Sequence, residues 1–146
     1  MDFTAYENAY PVFQALVFMT KEMIIAALKS EILAAEEVLN TQYSFELAEP
    51  NYNRCLEIIK SAPELQPEFS ELLISLLESE AVSDEPVAYL MRVLRWEEVR
   101  AWAKNELALM SDVMITGVVH LRVLEAYEAD WENEEFYARF LKDKES

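Results

Sequence analysis

Apolar residues recur every three or four positions at Phe13, Val17, Ile24, Leu28, Ile32, Ala35 and Leu39, with one skip at Thr20. That spacing places them on one helical face and predicts a long element from about Pro11 to Leu39, proline being favoured in the first turn of a helix. Between residues 12 and 28 the other faces are apolar as well, through Val12, Leu16, Phe18, Met23 and Ile25. A helix apolar all round is buried on all sides, so residues 9–28 are expected at the centre of the domain or in a homodimer face. The stretch TKEM offers a hydroxyl cap at Thr20, where the element would break in two. TQYSFELAEP (41–50) shows no stripe and ends in Pro50, which predicts a connection. Helical spacing resumes over 51–61, 67–80, 85–95, 97–109, 112–129 and 132–142. Pro63, Pro67, Ser83 before Asp84-Glu85-Pro86, and Ser111-Asp112 mark the boundaries.

Glycine usage narrows the fold further, because Gly117 is the one glycine in the chain. Tight hairpins and phosphate-cradling loops both consume glycine, whereas Ala, Leu, Glu and Met, which dominate here, are strong helix formers. The expected fold is all-α: a single domain over 1–146 with six to eight helices, arranged as stacked helical hairpins over 51–142 or as an irregular bundle. Within it, EPVAYLMRVLRWEEVRAWAKNEL (85–107) resembles a single HEAT-type helical hairpin, whose second helix carries Val-Arg, then Ala, then Leu at the spacing of Val99, Arg100, Ala103 and Leu107. Phe69, Leu72, Leu73 and Leu77 echo the apolar positions Val99, Trp102, Ala103 and Leu107 thirty residues earlier. The resemblance covers about a sixth of the chain and implies a scaffold that binds other macromolecules and performs no chemistry.

The 53% of apolar residues suffices for a real core in a chain of 146. Charge is lopsided: 28 acidic against 12 basic residues leave −16. Such a field repels phosphate backbones and anionic lipid, so neither nucleic acid nor membrane is an expected partner, while basic proteins are drawn in. Residues 9–28 are interrupted by Lys21 and Glu22 and fall short of a membrane span, and MDFTAYEN lacks the basic start of a secretory signal. The expected location is the cytoplasm.

The sequence holds little that reads as catalysis. Cys55, the one cysteine, excludes an intramolecular disulfide and a cysteine-cluster zinc site, and its apolar neighbours make it a buried hydrophobe. His120 is the one histidine, too few for paired Glu-x-x-His di-iron ligands or a zinc hydrolase site. Glu36-Glu37, Glu97-Glu98 and Glu134-Glu135 are neighbours whose side chains point about a hundred degrees apart on a helix, so none converges on one atom. No Gly-x-Ser-x-Gly elbow exists. The chain is expected to be no enzyme and to use no cofactor or metal.

What remains is a charge pattern. From Ser61 to Met91 there are seven acids and no base: Glu64, Glu68, Glu71, Glu78, Glu80, Asp84 and Glu85. A second block, EAYEADWENEE, holds Glu125, Glu128, Asp130, Glu132, Glu134 and Glu135 with Tyr127 and Trp131 between them. The mixed region between the blocks carries Arg92, Arg95, Arg100 and Lys104, which are expected to bond neighbouring carboxylates or helix-end carbonyls. A structural surface usually intersperses Lys or Arg, so the second block, supported by Glu78, Glu80, Asp84 and Glu85, is the candidate contact surface for a basic protein, with Tyr127 and Trp131 as anchors. The function expected is an immunity or antitoxin-like inhibitor of a basic toxin or nucleic-acid-acting enzyme. The alternative is a structural or adaptor domain, homodimeric through residues 9–28, whose acidity only keeps it soluble, with Trp131 and Phe136 pointing inward.

Overall fold

The structure is a computed structural model and describes residues 19–145. Thr20 accepts a hydrogen bond from the Met23 N–H at 3.2 Å and opens α1 (Lys21–Gln42), so an element begins at the hydroxyl cap. The remainder of the long helix expected from Pro11, and the first half of the proposed dimer face at 9–28, lie outside the described residues. α1 ends at Tyr43, which sits in the left-handed region at φ 52° and bonds back to the Leu39 carbonyl. The next residue, Ser44, accepts from the Leu47 N–H and caps α2 (Phe45–Ser61).

The expected connection at 41–50 is therefore corrected to two residues, with Pro50 inside α2. A proline there removes one backbone bond, yet Ala48, Glu49, Asn51 and Tyr52 are buried around it, and packing of α1 against α2 outweighs the loss. Glu31 ties the two helices together by accepting from Asn51 at 3.1 Å and Arg54 at 2.7 Å.

A 3-10 turn (Pro63–Leu65) leads into α3 (Gln66–Glu78), followed by α4 (Asp84–Leu94) and α5 (Glu97–Leu109). The helix expected over 112–129 is instead α6 (Val113–Thr116) and α7 (Val118–Glu125), parted at Gly117. A β-carbon on Gly117 would meet Leu107 Cδ2 at 2.6 Å and the Val113 carbonyl at 2.8 Å, so the closeness of α5 and α6 requires glycine there. The helix expected over 132–142 is a 3-10 turn (Glu132–Phe136) and then α8 (Ala138–Glu145). The described residues form one all-α domain with no strand.

The α1–α2 hairpin lies beside α3 and α4, while α4 and α5 both pack on α7. Leu28, Ile32, Leu56, Phe69, Leu73, Leu90 and Val99 are fully or almost fully buried between them, each such side chain contributing about 2 kcal/mol. At one end the core is aromatic: Tyr89 lies 4.7 Å from Tyr52 and 4.8 Å from Tyr137, and Trp131 stacks on Tyr137 at 5.7 Å. Among the described residues no helix is long and apolar enough to cross a membrane.

Candidate functional site

The second acidic block forms the turn between α7 and α8, and two arginines of α4 and its C-cap hold it from beneath. Arg92 donates to the carbonyls of Ala126 and Ala129, both at 3.0 Å, to that of Glu128, and to the Glu134 carboxylate at 2.5 Å. Arg95 donates to the Tyr127 carbonyl at 2.6 Å. These carbonyls follow the end of α7 and have no helical partners, so cations satisfy them, as expected for this region. Arg100 pairs with Glu97 at 3.5 Å.

Pinning the backbone sorts the side chains. Glu125, Glu128, Asp130, Glu132 and Glu135 are exposed, whereas Glu134 is largely covered against Arg92. Tyr127 and Trp131 are only 8% and 5% exposed. The Tyr127 hydroxyl donates to the Trp96 carbonyl at 2.7 Å, and Trp131 packs on Tyr137 and Phe140. This corrects the expectation of aromatic anchors: both rings belong to the core, held there by the hydroxyl bond and the ring contacts, while five of the block's six carboxylates face solvent.

The first block divides as well. Glu78 and Glu80 are exposed at the end of α3, where Glu80 adopts φ 60° as the chain turns. Asp84 is half-buried and Glu85 is 5% exposed, both in the first turn of α4. Glu85 accepts from Tyr137 at 2.6 Å and from Asn133 at 2.8 Å, which joins the two blocks inside the fold. As a surface residue Glu85 is therefore corrected to an interior one. Burial pushes its carboxyl above the usual range against the lowering effect of those two bonds. Burial also raises Asp84, opposed by the field of Arg122.

Two further interior carboxylates escaped sequence reasoning. Glu36 accepts from the Ser83 N–H at 2.7 Å and its hydroxyl at 2.6 Å, tying α1 to the start of α4. Glu49 accepts from the Tyr89 hydroxyl at 2.6 Å and the Ala138 N–H at 2.9 Å, placing negative charge at the start of α8. The available signal was register: Glu36 falls four after Ile32 and Glu49 four after Phe45, each on an apolar stripe.

Beside the α1–α2 connection lies a cavity of about 450 Å³, lined by the apolar or aromatic Leu39, Tyr43 and Phe45, by Ser44, Ser83 and Asn133, and by the charged Asp84, Glu85 and Arg122. Elsewhere, Cys55 is buried and its thiol is pushed up by burial, which removes it as a nucleophile at neutral pH. The His120 ring lies tilted against Trp102, with centroids 4.7 Å apart. Among the described residues no three His, Cys, Asp or Glu side chains gather as metal ligands. No protein-family model matches the chain, and searches of curated proteins and of solved structures return no match.

Proposed function

We propose that this chain is a non-enzymatic acidic binding protein that holds a basic protein partner, in the manner of an immunity or antitoxin-like inhibitor of a toxin or nucleic-acid-acting enzyme. One observation carries the reading. Arg92 and Arg95 donate into the backbone of the acidic turn from below, and among the described residues no ion pair reaches Glu125, Glu128, Asp130, Glu132 or Glu135 on its exposed face. A fixed single-sign surface of this kind speeds encounter with an oppositely charged partner and rejects nucleic acid.

The test co-expresses the chain with the reading frame adjacent to its gene. Relief of a growth arrest caused by that neighbour, lost when Glu128, Asp130, Glu132 and Glu135 are all replaced by Gln, supports the proposal. Full relief by the same variant removes the face from the function. Association should also slow steeply as salt rises. A second reading, the adaptor domain, draws on Leu109, Met114 and Ile115, which are 75–83% exposed around α6. Contact through that apolar patch would be indifferent to salt or strengthened by it.

A further inference from the structure

The cavity beside the α1–α2 connection differs from the acidic turn in carrying both signs of charge. Asp84 and Arg122 line it together and feel one another's field, yet they are not among the direct ion pairs of the described residues. Glu85 is already engaged by Asn133 and Tyr137. Asp84 and Arg122 make no hydrogen bond to another described side chain, so a carboxylate and a guanidinium without side-chain hydrogen bonds line one cavity.

An entering lone cation meets repulsion from Arg122, and a lone anion meets it from Asp84 and Glu85. A molecule carrying both charges can set its positive group against Asp84 and its negative group against Arg122, where a singly charged one leaves one of the two unmatched. Leu39, Tyr43 and Phe45 supply the apolar part of the lining, beside the polar Ser44, Ser83 and Asn133. Tyr43 is 87% exposed and holds φ 52° at a helix end where glycine is usual, so its ring stands at the rim against a steric penalty on its own backbone. A cavity of about 450 Å³ falls within the size range of small-molecule sites.

We propose that this cavity binds a free apolar α-amino acid, with its ammonium on Asp84, its carboxylate on Arg122 and its side chain against Phe45 and Tyr43. Burial raises the carboxyls of Asp84 and Glu85 above their ordinary range, and an arriving ammonium supplies the compensation that water does not. The assignment is independent of the basic-partner reading, since it uses none of the exposed carboxylates of the turn.

Calorimetric titration of the full chain with L-phenylalanine, L-phenylalaninamide and N-acetyl-L-phenylalanine tests it at about 0.15 M salt, where non-specific attraction of the cationic amide is screened. The zwitterion is expected to bind at least tenfold more tightly than either derivative. Asp84→Asn and Arg122→Gln should each weaken it at least tenfold, and Arg122→Gln should strengthen the amide. Equal binding of amide and amino acid, or no saturable binding of the amino acid, overturns the proposal. The three-ligand comparison needs no variant, so it decides the matter even where a substitution misfolds. The four-fold Gln variant of the turn should bind L-phenylalanine as the parent does, which lets the two readings fail separately.

Discussion

The carboxylates of Glu36, Glu49 and Glu85 lie inside the fold, and those of Glu125, Glu128, Asp130, Glu132 and Glu135 lie on it. Each inner group accepts hydrogen bonds from partners distant in sequence, chiefly hydroxyls and helix-starting N–H groups. The outer groups carry the same charge on a backbone held by Arg92 and Arg95. Negative charge in this chain is thus a fastener where donors converge on it and a field where they do not. Composition counts the two kinds as one, although removing them should have opposite effects on stability.

Glu49→Ala is the largest expected effect. It removes the charged acceptor of the Tyr89 hydroxyl, which keeps only Asn53 at 3.2 Å, and of the N–H groups of Ala138 and Arg139 at the start of α8. Losing three hydrogen bonds to one buried carboxylate costs about 3 kcal/mol, a large share of the stability of a domain this size. Urea unfolding should show a midpoint lowered accordingly, with hydrogen exchange rising first in α8. A loss below about 1 kcal/mol would erase the distinction between inner and outer carboxylates.

The all-α class was readable from glycine scarcity and helical stripes, and α5 (Glu97–Leu109) matches its sequence boundaries because Trp96 and Met110 bracket a clean periodic run. The start of α2 was not, since Pro50 looks like a stop and Glu49 hides the stripe that Phe45, Ala48, Tyr52 and Leu56 form. Nor was the break at Gly117, where a β-carbon would press on the Val113 carbonyl and on Leu107, contacts that sequence periodicity does not contain. At the acidic turn the arginines' task followed from their position near helix ends. The inward aim of Tyr127 and Trp131 did not, because alternating acid and aromatic residues fit a contact surface and a core edge equally well. The cavity was illegible for a different reason: its lining comes from α1, the α1–α2 connection, the start of α2, the start of α4, α7 and the turn after α7, brought together only by the fold.

Asp84 stands between the two classes, half-buried and with no side-chain donor among the described residues, and its response to pH separates them further. Its carboxyl is raised in the folded state chiefly by burial. As pH rises past the ordinary carboxylate value, the unfolded chain releases this proton first, so stability falls until the raised folded value is passed. Asp84→Asn removes that titration. The variant should gain thermal stability relative to the parent at about pH 7 and little or none at about pH 3, by differential scanning calorimetry. A gain equal at both values would mean that ionisation of Asp84 is not what burial opposes.

The smallest expected effect belongs to the outer carboxylates themselves. Replacing Glu128, Asp130, Glu132 and Glu135 with Gln removes like charges that repel across one turn and touches none of the arginine-to-carbonyl bonds beneath it. Each close like-charge pair relieved returns a few tenths of a kcal/mol, so the four-fold variant should melt at the parent's temperature or slightly above. Because the repulsion is between solvated charges, the gap should be widest at low ionic strength and close by about 1 M salt, where the screening length is near 3 Å. Melting curves across a salt series measure this directly. If the variant is instead destabilised by more than about 1 kcal/mol, or if its gap persists in high salt, these carboxylates are fasteners like Glu49 and the outer face is part of the fold's own bonding.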